Sequence, residues 1–117
     1  MCGIVALLSS GAPVDPELVI RMRDRLLHRG PDHGGLWLNH DGRLALGHRR
    51  LAIIDVSAEA NQPMLSGDGR FAIAYNGEIY NYLELRETLT GLGHRFRTAS
   101  DTEVLLLSYI QWGVDCL

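Results

Sequence analysis

With 117 residues, 46% of them apolar, the chain has the length and composition for one small domain with a core of its own and is too short for several. A net charge of -3, with both signs interspersed and eleven scattered basic residues, all arginine, argues against nucleic acid or an anionic membrane as the main partner. No apolar run approaches membrane-spanning length and no basic segment precedes Ile4 to Leu8, so neither a signal peptide nor an anchor is expected and the chain reads as cytoplasmic.

Ile4 to Leu8 is an apolar run too short for a helix and closed by Ser9, Ser10 and Gly11, which predicts a buried strand. A helix start follows, with Asp15 as N-cap and Pro16 in the first turn. Leu18, Met22 and Leu26 recur at four-residue spacing as its core face, and Gly30-Pro31 ends it. Strands are predicted over Leu36 to Leu38 and Leu44 to Ile54, joined as a hairpin by His40-Asp41-Gly42. After the Gly67-Asp68-Gly69 turn, Phe71 to Tyr75 alternates as a further strand and runs into a turn at Asn76-Gly77. Asn81 with Glu84 predicts a capped helix over Tyr82 to Thr90, with Gly91 just past its end. Ser100 and Glu103 form a second capping box, opening a helix through Leu105, Leu106, Tyr109 and Ile110. Strands followed by helices predict an α+β fold, with helices on one face of a sheet of four or five strands. The chain stops soon after the last helix with a sheet edge left to shield, which reads as an incomplete domain.

Among the polar clusters, His28-Arg29-Gly30-Pro31-Asp32-His33-Gly34-Gly35 is poor in metal-site character. His28, His33, His40 and His48 lack helical i, i+4 spacing, and no second cysteine lies near them. Its expected role is architectural, with Gly30 and Gly34-Gly35 permitting unusual backbone angles and Arg29 and Asp32 satisfying backbone groups in a buried loop. The glycines do not form a phosphate loop. Arg49-Arg50 precede the apolar residues Leu51 to Ile54. On a strand one of the pair faces solvent and the other a cleft, where a guanidinium holds a carboxylate, or both are simply solvated. Asn76-Gly77 is either a hairpin turn or an amide N–H2 beside a backbone N–H, the donor pair of an oxyanion hole. Asp101 either complements a helix dipole or holds an ammonium group.

Cys2 stands directly behind the initiator. It is either the first residue of a buried strand or, once Met1 is removed, a residue carrying both a thiol and a free α-amine. A free thiol is only about 3% thiolate at pH 7, so a base beside it matters. An α-amine near pKa 8 leaves on the order of one amine in ten unprotonated there, and so serves as that base. The two cysteines, Cys2 and Cys116, have no framework spacing and read as reduced thiols.

Met1-Cys2-Gly3-Ile4, His28-Arg29-Gly30-Pro31-Asp32, His48-Arg49-Arg50-Leu51-Ala52-Ile53-Ile54-Asp55, Gln62-Pro63-Met64, Tyr75-Asn76-Gly77-Glu78-Ile79-Tyr80-Asn81 and Ser100-Asp101-Thr102-Glu103 occur in this order along nearly the whole chain. In these motifs the sequence resembles the class II, or Ntn-type, glutamine amidotransferase domain, and within it the amino-terminal glutaminase domain of glutamine-hydrolysing asparagine synthetases. His48-Arg49-Arg50-Leu51, where aminosugar and purine relatives carry His-Thr-Arg, favours that branch. The resemblance implies an Ntn-hydrolase-like αββα sandwich, with residues 1–117 its N-terminal part. It implies Cys2 as the nucleophile on the glutamine side-chain amide, and Asn76 and Gly77 as the oxyanion hole. Arg50 would clamp the α-carboxylate, Glu78 and Asp101 would meet the α-amine, and Leu51, Ile53 and Ile54 would add backbone or wall contacts. The implied partners are L-glutamine and an ammonia-accepting synthetase domain lying outside these residues. ATP and Mg2+ are expected for that domain and no cofactor for this chain; a homodimer is compatible with the resemblance. The ammonia acceptor is aspartate or another acid, and a non-catalytic binding or assembly module of the same fold is the rival reading. The isolated piece is expected to be poorly active.

Overall fold

The computed structural model describes residues 1–117, which fall into two compact units. The first comprises Met1–Ala52 with the short segments Asn61–Pro63 and Ala74–Asn76; the second comprises Ile53–Ala60, Met64–Ile73 and Gly77–Leu117. Each has its own secondary structure, so the single sheet of four or five strands expected from the sequence is replaced by a three-stranded sheet in one unit and a two-stranded ribbon in the other.

In the first unit, β1 (Gly3–Leu8), β2 (His33–Leu38) and β3 (Leu44–Arg50) form an antiparallel sheet in the order β1-β3-β2, with α1 (Pro16–Asp24) packed on it. The register pairs Val5 and Leu36 with Gly47 on either side of β3. Val5, Val19 and Ala45 form the core, flanked by Leu7, Val14, Leu26, Leu36 and Leu38. The β2–β3 turn is closed by Leu44 N–H donating to Asn39 Oδ1 and Arg43 N–H to Asp41 Oδ1, with Gly42 at φ 70°.

Two expectations are corrected here. Helix α1 is capped as read, Asp15 Oδ1 accepting from Glu17 N–H, but it ends at Asp24. The chain then continues to Arg29 in i→i−3 turns (Leu26 N–H to Arg23 O, Leu27 N–H to Asp24 O, Arg29 N–H to Leu26 O). Its buried face is not Leu18 and Met22, which are 41% and 39% exposed, but fully buried Val19. The two stripes lie one residue apart, and the buried one includes Arg23, whose side chain is only 13% exposed because its aliphatic stem covers the sheet. A polar name on the inner face disguised it.

Strand β3 stops at Arg50 rather than Ile54 because its neighbours end there: Gly3 pairs with Arg49 and His33 with Arg50. Beyond that point the backbone is taken by side chains, Leu51 N–H by Cys2 Sγ and Ala52 N–H by Asp32 Oδ2.

In the second unit, β4 (Met64–Leu65) and β5 (Ala72–Ile73) form the ribbon, while α2 (Tyr82–Gly91) and α3 (Asp101–Trp112) pack together, followed by a 3-10 turn over Gly113–Cys116. Leu89, Val104, Leu106 and Met64 are buried, and Phe71 meets Tyr109 edge to face at 5.8 Å. Helix α3 buries Val104 and Leu106, whereas Tyr109 and Ile110 are exposed. Helix α2 forms without the predicted box: Asn81 makes no side-chain cap bond, and Gly91 lies inside the helix. At α3, Ser100 Oγ accepts from Thr102 N–H as predicted. Buried Glu103 does not reach back to Ser100; its carboxylate accepts from the N–H groups of Arg97 and Thr98 and from Thr98 Oγ1–H. Those unpaired donors just before the helix outcompete the cap.

Neither helix of the second unit nor α1 is long and apolar enough to cross a membrane.

Candidate functional site

Cys2 precedes β1 and is half-buried, whereas Met1 is 72% exposed. Its sulfur sits against the backbone of one residue: Leu51 N–H donates to Sγ at 3.4 Å, and the thiol lies 3.8 Å from Leu51 O. Cys2 O accepts from Arg29 Nε at 3.0 Å. The cysteine is thus held at its sulfur by the chain just past β3 and at its carbonyl by the turn after α1. Cys116, the other free cysteine, lines an apolar recess of about 290 Å³ in the second unit with Phe71, Tyr109 and Leu117.

The loop from His28 to Asp32 satisfies backbone groups as read from its residues, but it is not buried, since His28, Pro31 and Asp32 are exposed, and none of Gly30, Gly34 and Gly35 takes a positive φ. Asp32 N–H donates to Arg50 O and Asp32 Oδ2 accepts from Ala52 N–H at 2.8 Å, clasping the end of β3. Arg49 donates from Nε to Gly30 O and from Nη2 to Pro31 O, and its side chain is 11% exposed. Arg50 is 6% exposed and donates from Nη1 to Asn61 Oδ1 at 2.7 Å. Neither arginine is therefore the solvated member of the pair that strand alternation suggested. Carbonyl oxygens left open by the irregular 30–31 loop draw in the one expected to face water.

Around Arg50 lies a set of groups to which the residue pattern assigned no role. His48 is fully buried on β3, and its Nε2 lies 3.1 Å from Tyr75 O. A carbonyl oxygen only accepts, so Nε2 carries the proton; buried Nδ1 has no partner. Burial lowers the ring's pKa from the usual histidine range, the neighbouring Arg50 and His33 add to this, and the bond to Tyr75 partly offsets it. His33 is lowered in the same way, by burial first and then by Arg50, Arg23 and Arg49. Gln62 Oε1 accepts from Tyr75 N–H at 2.5 Å. Gln62 is joined to Pro63 by a cis peptide and is seated on β2, where a Cβ at Gly35 would fall 1.8 Å from Gln62 O. The strand predicted through Tyr75 fails here because both its backbone groups are taken by Gln62 and His48 instead of a ladder. Nothing in local spacing announces this, since His48, Gln62 and Tyr75 are far apart in sequence and meet only through the fold.

Of the sequence-predicted site residues, Cys2, Arg50, Leu51 and Asn76 belong to the first unit, with Cys2 and Leu51 in direct contact. Ile53, Ile54, Gly77, Glu78 and Asp101 belong to the second. There Ile53 is 73% exposed, Gly77 and Glu78 are exposed, and Ile54 is half-buried. Asp101 is 7% exposed at the start of α3, and its Oδ2 accepts from Ile79 N–H at 3.1 Å, so it anchors the segment that carries Glu78. No three His, Cys, Asp or Glu side chains are grouped so as to hold a metal ion.

Residues 1–117 match the family model described as "Glutamine amidotransferase domain". The chain is 42% identical over 122 residues to "Asparagine synthetase [glutamine-hydrolyzing] 3" of Bacillus subtilis, a match covering all of this chain and 19% of that protein. It is 45% identical over 117 residues to "Asparagine synthetase [glutamine-hydrolyzing] 1" of Arabidopsis thaliana, covering 98% of this chain and 19% of that protein. It is 38% identical over 133 residues to "Putative asparagine synthetase [glutamine-hydrolyzing] 2" of Methanocaldococcus jannaschii, covering 100% and 25% respectively. The chain spans about a fifth to a quarter of the length of these curated relatives.

Proposed function

Because the chain belongs to the glutamine amidotransferase domain family, we propose that it supplies the glutaminase chemistry of an amidotransferase of the asparagine-synthetase type. On this reading Met1 is removed and Cys2 becomes the amino-terminal residue. Its sulfur adds to the side-chain amide carbon of glutamine. The freed α-amine takes the thiol proton and returns it to the departing ammonia, and water then cleaves the γ-glutamyl thioester to glutamate. The Asn76 side-chain amide and the Gly77 backbone N–H donate to the tetrahedral oxyanion. Arg50 pairs with the substrate α-carboxylate, Glu78 and Asp101 with its α-amine, and Leu51, Ile53 and Ile54 line the site. The ammonia passes to a synthetase region that uses ATP and Mg2+ to activate aspartate. The three-stranded sheet with α1 is read as part of an αββα sandwich.

The observation that carries this reading is the seating of Cys2: an exposed residue 1, a sulfur against the Leu51 N–H at 3.4 Å, and a carbonyl held by Arg29. A core cysteine would sit among apolar side chains, as Cys116 does. The test is glutamate release from L-glutamine by the intact protein. Release that is abolished by Cys2→Ala and shows a raised KM in Arg50→Lys supports the reading; release that survives Cys2→Ala refutes it.

A further inference from the structure

The Tyr75 peptide units are gripped from both ends, by Gln62 Oε1 at the nitrogen and by His48 Nε2 at the oxygen. The first bond fixes the plane of the 74–75 peptide, and the second fixes the 75–76 peptide whose nitrogen belongs to Asn76. With two consecutive planes set, the dihedrals of Tyr75 are set too, and Asn76 leaves the unit in one direction. We infer that His48 and Gln62 are positioning residues that aim the Asn76 amide at the reacting carbonyl oxygen. The inference rests on the reading of Asn76 as an oxyanion donor.

Both grips are themselves anchored. His48 comes from the central strand β3, pinned on each side by β1 and β2, and the ring is fully buried. The Asn61–Pro63 segment that carries Gln62 is bound through Asn61 to Arg50 and pressed onto Gly35 of β2, where no side chain larger than hydrogen leaves room for it. A neutral ring suits the task. Its Nε2–H must donate to Tyr75 O, and the orphaned buried Nδ1 would be costlier still if it carried a second, unpaired N–H. Asn76 is thereby referenced to the same strand whose end, through Leu51, seats Cys2.

A positioning role differs from a merely structural one in what depends on it. If His48 acts through Asn76, removing it matters only while Asn76 is there. The test is a double-mutant cycle on glutamine hydrolysis by the intact protein, with His48→Phe, which keeps a buried ring without the donor, and Asn76→Ala. His48→Phe is expected to lower kcat by about tenfold or more with KM within about twofold, and Asn76→Ala by about 100-fold or more. The double variant should be no worse than Asn76→Ala within about threefold. His48→Gln, which keeps an N–H donor, should recover most of the loss. A double variant that loses the product of the two single effects overturns the inference, as does a change confined to KM. A readout independent of turnover is amide hydrogen exchange at Tyr75. Gln62→Leu removes the acceptor and should speed it at least about tenfold, whereas Gln62→Glu keeps the acceptor and should not. Unchanged Tyr75 exchange in Gln62→Leu overturns the clamp, while a wild-type protein that hydrolyses no glutamine overturns only the reading beneath it.

Discussion

The backbone N–H of Leu51 points at the sulfur of Cys2 across 3.4 Å, joining residues that are 49 positions apart in the chain. The contact belongs to the Leu51 backbone and not to its side chain. Leu51→Ala should therefore leave glutamine hydrolysis within about threefold of wild type. Leu51→Pro, which deletes the N–H, should lower kcat/KM by at least about tenfold, the equivalent of one lost hydrogen bond. Steady-state kinetics on the two variants, with thermal midpoints to confirm folding, checks this.

The first unit is held by a small core, and its weight falls on one helical position. Val19 is fully buried while Leu18 and Met22 are more than a third exposed. Val19→Ala should cost about 2 kcal/mol in a denaturant titration, and Leu18→Ala less than about 1 kcal/mol. A larger loss at Leu18 would restore the Leu18-Met22-Leu26 face that periodicity suggests.

Buried His48 and half-buried His33 make this unit acid-sensitive. The rings of His48 and His33 are held below the ordinary histidine range, first by burial and then by the arginines beside them, with His33 also acting on His48. Well above the ordinary histidine pKa of about 6.5 the imidazoles are neutral whether the chain is folded or not, and folding moves no proton. Below it the unfolded chain takes up protons that the folded rings refuse, so stability falls as the pH drops toward the lowered folded values. The thermal midpoint should decline from about pH 7.5 to about pH 5.5, and His48→Phe should shrink that decline. An undiminished decline in His48→Phe would assign the acid sensitivity elsewhere.

Much of this arrangement is legible in the sequence, and the exceptions share a cause. Asp15, Ser100 and the His40-Asp41-Gly42 turn act within a few residues of themselves, and each does what local chemistry predicts. The motif residues around Cys2 mark the family. What escaped notice depends on partners outside the local motif. Glu103 abandons its cap for the backbone at 97–98, Arg49 turns inward to loop carbonyls, and Tyr75 trades a strand ladder for Gln62 and His48. In each case an unpaired backbone group creates a demand that no local pattern displays.

The central claim is that Cys2, freed of Met1, is the nucleophile, and the most direct measurement is intact and peptide mass analysis after treatment with a chloroketone analogue of glutamine. The account predicts a chain lacking Met1 that carries a single adduct on Cys2, protected by excess L-glutamine, and no adduct on Cys116. A chain that has lost Met1 but stays unlabelled at Cys2, or one labelled equally at Cys116, would contradict it.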